Sequence, residues 1–136
     1  VIRAVLDTNT IVSRLGWGGQ PGAVLDAALA GHFEIVTSPA LLDELRRVLD
    51  YPKLQTVIGD ADELIKFLAL AAVVVTPTET VTISRDPDDD RLIEAALAAN
   101  ADVIVTGDQD LLTLGHIGQI QILTPRQFLG ELHPAP

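Results

Sequence analysis

Short apolar runs recur at residues 2–6, 33–37, 72–76, 101–106 and 120–123, separated by stretches whose apolar positions repeat every three to four residues. Runs of this kind, rich in Val and Ile, read as strands buried on both faces, and the periodic stretches between them read as helices. Helices are expected over 23–30, closed by Gly31; from Ser38-Pro39 to Tyr51-Pro52; over 60–72; from the acidic run around Pro87 to Asn100; and from Thr124-Pro125 to near 132. Their starts are marked, since Ser, Thr and Asp cap helices and Pro suits the first turn. A short helical turn is expected over 53–59. Residues 11–22, where Gly16, Gly18, Gly19 and Gly22 surround the single Trp17, predict a loop, as do residues 77–84. Strands alternating with helices predict an α/β fold with a five-stranded parallel sheet, helices on both faces and right-handed crossovers. No repeat or linker divides the chain, so residues 1–136 read as a single domain.

Two acids fall on faces that are otherwise apolar. Leu92, Ile93, Ala96 and Leu97 define one face of the acidic helix, and projecting it backwards lands on Asp89. Asp88 then points away, and Asp86 and Asp90 sit at the stripe's edge. The plain reading of this run is helix capping, in which an acid near the positive helix end gains about 0.3 to 1 kcal/mol. Capping does not explain an inward Asp89, because a buried, unpaired carboxylate is costly. Glu44 poses the same problem, lying three residues after Leu41 and four before Val48, on the stripe that Asp43 avoids. It could instead reach out to solvent or pair with Arg47 at i+3.

Two further acids close strands. The first run ends in Asp7-Thr8-Asn9-Thr10, and the fourth runs into Gly107-Asp108-Gln109-Asp110. A turn-forming Asp is common at such places, but in open α/β sheets sites lie outside the carboxyl ends of the strands.

Composition narrows the chemistry. The 136 residues hold 19 Asp and Glu against 9 Lys and Arg, a net charge of -10, and no Cys. Disulfides and thiolate metal sites are excluded, and the acidic balance taken alone argues against nucleic acid. No apolar stretch approaches the roughly 18 residues of a spanning helix, and the run at 2–6 is too short for a signal peptide, so a soluble, cytoplasmic protein is expected. The three His, at 32, 116 and 133, lie outside the strand-end motifs. Acids brought together repel unless a cation joins them, and an all-oxygen set suits Mg²⁺ or Mn²⁺. Such a site activates water and neutralises charge on a phosphodiester without a Ser, Lys or His nucleophile.

Leu6-Asp7-Thr8-Asn9, then Ser38-Pro39 with Glu44 on the following helix, then Arg85-Asp86-Pro87-Asp88-Asp89, then Val105-Thr106-Gly107-Asp108-Gln109-Asp110-Leu111-Leu112, taken in that order, resemble a PIN domain. More narrowly, the chain is similar to the PIN-family toxins of toxin–antitoxin systems, relatives of the VapC endoribonucleases. The resemblance implies a three-layer α/β/α sandwich and a metal-dependent endoribonuclease that cuts single-stranded RNA. It assigns Asp7, Glu44, Asp89 and Asp108 as catalytic metal ligands for Mg²⁺ or Mn²⁺. Asn9 is implied as the neighbour that orients Asp7, Thr106 as a supporting hydroxyl, and Asp90 and Asp110 as additional acids. A homodimer and a small antitoxin partner are implied as well. With so few basic residues, the phosphate contacts are to be sought among Arg14, Arg46, Arg47, Arg85 and Arg91.

Two other classes fit part of the pattern. A phosphoryl-transfer protein with Asp7 as nucleophile would need a Lys near the site, and Lys53 and Lys66, the only two, follow no strand end. A PIN-fold interaction module without catalysis would keep the acids as a structural cluster.

Overall fold

The structure is a computed structural model that describes residues 1–16, 19–51 and 61–133; the side chains of 13–22 and 61 are not among those described. Six strands, β1 (Arg3–Leu6), β2 (Glu34–Thr37), β3 (Val73–Val74), β4 (Val103–Val105), β5 (His116–Ile117) and β6 (Ile120–Leu123), form one sheet in the order β3-β2-β1-β4-β6-β5. All neighbours pair in parallel except β5 and β6. The register sets Val5 opposite both Val36 and Ile104, and Ile104 opposite Ile122.

Side chains alternate across the sheet, as strand geometry requires. Ala4, Leu6, Ile35, Val103 and Val105 enter one apolar core, and Val5, Val36, Ile104 and Ile122 enter the other. The first core is closed by α1 (Thr8–Gly16), α2 (Gly19–Leu29), α3 (Pro39–Leu49), α4 (Ala61–Ala71) and α7 (Pro125–Leu132). The second is closed by α5 (Pro87–Ala99) and α6 (Gln109–Leu114), with α5 packed over β1, β2 and β4. The expected three-layer α/β/α sandwich is therefore present, with all five predicted parallel strands in place.

Two expectations need correction. The sheet is mixed and has a sixth strand, because the chain folds back through Gly118, at φ +57, and pairs His116 with Gln121. Residues 11–22 are not wholly a loop either, since α1 runs to Gly16 and α2 starts at Gly19. Glycine weakens a helix by about 1 kcal/mol relative to Ala. Burial of Ile11, Val12, Val24 and Leu25 in the first core supplies a counterweight that local composition does not reveal. Trp17, the predicted turn over 53–59 and the last three residues lie outside the described residues.

Helix ends follow the marked residues. The Ser38 hydroxyl accepts the Leu41 N–H at 3.3 Å with Pro39 in the first turn, and Thr124 and Gln127 form a reciprocal capping box on α7. Asn100 closes α5 in the left-handed conformation, at φ 49. Ser38 is buried and fixes the direction from which α3 brings Glu44. Ser38→Ala is expected to lower unfolding stability by about 1 kcal/mol, read as a lower denaturation midpoint with an unchanged denaturant slope.

Candidate active site

Strand order reverses between β1 and β4, where the chain winds outward to β2 on one side and to β6 on the other. Sheets of this class open a crevice at that point, beyond the carboxyl ends of the strands. A cavity of about 350 Å³ lies there, lined by Asp7, Thr8, Asn9, Thr10, Glu44, Asp86, Asp88, Asp89, Leu92, Gly107, Asp108 and Pro125. All four acids singled out from the sequence thus reach one cavity.

Asp7 is the most firmly held of them. Its backbone N–H continues the ladder to the Val105 carbonyl at 3.1 Å. Its Oδ1 accepts the Thr10 N–H and the Thr10 hydroxyl, each at 2.8 Å, and its Oδ2 accepts the Thr106 hydroxyl at 2.5 Å. Thr106 is fully buried and also accepts the Asp108 N–H at 3.0 Å. One hydroxyl therefore ties the acid after β1 to the segment that carries the acid after β4. Thr10 escaped the sequence reading, although Asp7 with Thr10 three residues later, just ahead of Ile11 and Val12, is the pattern of a capped helix start.

On α5 the capping role falls to Asp86, whose carboxylate accepts the Asp88 N–H at 3.0 Å. Asp89 is thereby free to turn inward; it is buried, and the Ser84 hydroxyl donates to it at 3.2 Å. Burial, the charges of Asp108 and Asp86, and a hydrogen-bonding contact with the Asp108 carboxyl push the Asp89 pKa up to about 6. Asp108 in turn caps α6, accepting from the Asp110 and Leu111 N–H groups. Glu44 is half-buried with the Thr8 side chain as a hydrogen-bond partner, and burial followed by the charge of Asp88 raises its pKa to about 7. Asp88 points away from the core as its place on the helix predicts; it is exposed, lines the cavity mouth and pairs with Arg47 of α3 at 3.7 Å.

The two additional acids sit elsewhere. Asp90, expected at the stripe's edge, is buried and accepts the Ile83 and Ser84 N–H groups at 3.0 and 2.8 Å. Glu94, one turn on, accepts the Val81 N–H at 2.9 Å, so both acids hold the loop that precedes α5. Asp110 is exposed and pairs with Arg85 at 2.7 Å. Neither Asp90 nor Asp110 lines the cavity, whereas Asn9 does, and no His is among the lining residues.

The donor set is all-oxygen, which suits a hard divalent cation. Asp7 Oδ2 carries one hydrogen bond and keeps a lone pair for such an ion. Among the described residues, however, no three acids converge closely enough to close on an ion as they stand. Glu44 lies on the Thr8 side and Asp89 against Asp108, and burial first, then neighbouring acids, raise both carboxyls.

Residues 3–110 match the PIN domain, which covers well over half of the 136 residues. The chain belongs to the PIN domain family. PIN domains are generally nucleases and typically use divalent metals. The uncharacterized protein MJ1680 of Methanocaldococcus jannaschii is 30% identical over 142 residues, spanning 96% of this chain and 91% of that protein. In fold, this PIN domain is similar to the crystal structure of FitAcB from Neisseria gonorrhoeae, with a TM-score of 0.59 at 17% identity over 90% of this chain and 98% of that one. None of the described helices is long and apolar enough to cross a membrane.

The raised carboxyls fix a pH dependence for the metal-free protein. The folded state holds protons on Glu44 and Asp89 that the unfolded chain, near the ordinary carboxyl values of 4.5 and 3.8, has already released. Stability from these groups is complete below pH 4 and is lost as pH rises through about 6 and 7. Glu44 is only half-buried, so its share of the loss is on the order of 1 kcal/mol after screening. Glu44→Gln is expected to raise the thermal midpoint at pH 8 in chelator and to flatten its decline between pH 5 and 8. An unchanged profile would contradict the electrostatic description of this cavity.

Proposed function

We propose that this PIN domain is a divalent-metal-dependent endoribonuclease acting on single-stranded RNA, and that it serves as the toxin of a toxin–antitoxin pair. The observation that carries the reading is the convergence of Asp7, Glu44, Asp89 and Asp108, from four separate segments, on one cavity at the switch point of the sheet. Family membership and the order of the four motifs support it. These four acids would hold one or two Mg²⁺ or Mn²⁺ ions. An ion held there would supply the Lewis acidity that activates water and offsets charge on a phosphodiester, and the proposed products are a 5′-phosphate and a 3′-hydroxyl.

The chain's own residues prepare that chemistry. Thr10 and Thr106 fix Asp7 from both oxygens, so its orientation is set before substrate arrives. Glu44, whose carboxyl burial and the charge of Asp88 push up to about 7, is an acid that a bound cation would relieve. Asp89 and Asp108 approach each other from the starts of α5 and α6, where helix dipoles lower the cost of gathering acids. No described Lys lines the cavity, so nothing favours Asp7 as a phosphoryl-accepting nucleophile. A homodimer in the cytoplasm, held in check by a small antitoxin that reaches the acidic cavity with a basic or aromatic side chain, completes the proposal.

Calorimetric titration of Mn²⁺ into the metal-free wild type is expected to give saturable binding that Asp89→Asn weakens at least tenfold. With Mn²⁺ present, cleavage of a labelled single-stranded RNA should fall by about 100-fold or more in Asp7→Asn, in line with the loss of an electrostatic catalytic group. Induced expression of wild type, but not of Asp7→Asn, should arrest growth of a bacterial host. Full cleavage by Asp7→Asn would overturn the chemistry assigned to these acids, absence of cleavage by the wild type would overturn the nuclease reading, and a catalytically active protein without growth arrest would overturn the toxin role.

A further inference from the structure

An RNA strand brings a row of phosphates to a cavity lined by six acids, so cationic groups must stand beside that cavity if the strand is to dwell there. Most of the described basic side chains are committed elsewhere. Arg3 lies at the opposite end of β1, against Glu34 and the Ala99 carbonyl. Arg46 is bound to Asp62 on α4, and Arg91 makes a two-point contact with buried Glu94. Arg126 lines a separate, open cavity with His32 and His133.

Arg47 and Arg85 differ from these. Arg47 rises from α3 one turn beyond Glu44 and rests on Asp88, a lining residue, at 3.7 Å. Arg85 immediately precedes the capping Asp86 and rests on Asp110, two residues past Asp108, at 2.7 Å. Their side chains are 67% and 87% exposed, each is held by a single surface contact to a carboxylate, and a guanidinium can exchange such a contact for a two-point one to a phosphate. The pairs therefore park two long cationic arms at two edges of the acidic cavity.

We infer that Arg47 and Arg85 are the phosphate-binding arms of this site, Arg47 taking a backbone phosphate of single-stranded RNA at the Glu44 edge and Arg85 another at the Asp108 edge. The inference rests on the nuclease reading for its substrate class. It also answers how an acidic chain holds a polyanion: the arms leave Asp88 and Asp110 when phosphate arrives, and the acids they leave face solvent at the rim.

The test is binding of a fluorescent, mixed-sequence single-stranded RNA to the full chain by anisotropy, with Ca²⁺ in place of Mn²⁺, across a salt series. Arg47→Gln and Arg85→Gln are each expected to weaken binding at least about threefold at low salt and to flatten the slope of log affinity against log salt by about 0.7, the release expected for one phosphate contact on a single strand. Arg47→Lys and Arg85→Lys should keep the slope, and Arg46→Gln should behave as wild type; thermal midpoints report that each variant is folded. In Mn²⁺, the Gln variants should raise KM with little change in kcat. Unchanged slopes in both Gln variants, in a protein that still cleaves RNA through Asp7, would overturn the arms and leave the nuclease intact. RNA held through the two arginines but left uncut in Mn²⁺ would overturn the nuclease and leave the arms, and a wild type that binds no RNA would overturn both.

Discussion

The hydroxyl of Thr106 is the small contact on which the geometry of this site depends. It accepts the Asp108 N–H and donates to Asp7 Oδ2 from a position with no solvent exposure. A buried hydroxyl with both functions used is fixed, and so are the groups it joins. Because β1 and β4 are paired neighbours from which the strand order runs outward to β2 on one side and β6 on the other, this bond spans the point where the crevice opens. Asp7 could not be held from both oxygens by local turns alone. Thr10 secures one from within α1, and only the adjacent strand end secures the other.

Around that fixed point the chain divides its acids by task. Asp86 caps α5, and Asp90 and Glu94 turn the other way and hold the backbone of the preceding loop at Val81, Ile83 and Ser84. Asp89, between them in sequence, faces the cavity. Three roles within nine residues follow from helical geometry, since neighbouring positions are rotated by about 100° and meet different surroundings. The division matters energetically. An acid that accepts two backbone N–H groups is satisfied where it stands, whereas Asp89 and Glu44 keep raised pKa values because their surroundings supply burial and like charge. The acids that would be most relieved by a cation are those aimed into the crevice.

Much of this was legible in the sequence because it is local. Short continuous apolar runs rich in Val and Ile mark the parallel strands, Ser38-Pro39 and Thr124-Pro125 mark helix starts, and the positions of Glu44 and Asp89 on apolar stripes mark their inward direction. What stayed hidden depends on distant parts of the chain. The helices in the Gly-rich 11–22 region are sustained by burial of Ile11, Val12 and Val24 against the sheet, which no local propensity records. The edge strand His116–Ile117 is two residues long and visible only through its partner. Asp90 reads from its angle on the helix as an edge residue, but the loop at 83–84 folds over it and buries it. Arg47 likewise reads as a local partner of Glu44 until α5 brings Asp88 to it.

The acidic composition looks at first like an objection to a nucleic-acid substrate, and the placement of the charges dissolves it. Six of the 19 acids line one cavity, so a substantial part of the net charge of -10 belongs to a single site and not to the surface at large. A divalent cation there would cancel charge where it is densest, and the field a strand meets would then be set by the rim. At the rim, Asp88 and Asp110 are already paired with arginines, whereas the inward acids have hydroxyls, backbone N–H groups and one another for company. Net charge counts all 19 acids alike, but a phosphate approaching this crevice would meet mainly the groups in and around it, since charge beyond about 10 Å is largely screened at moderate salt. For a site of this kind, the sign of the whole chain is a poor guide to its partner, and the arrangement within one Debye length is a better one.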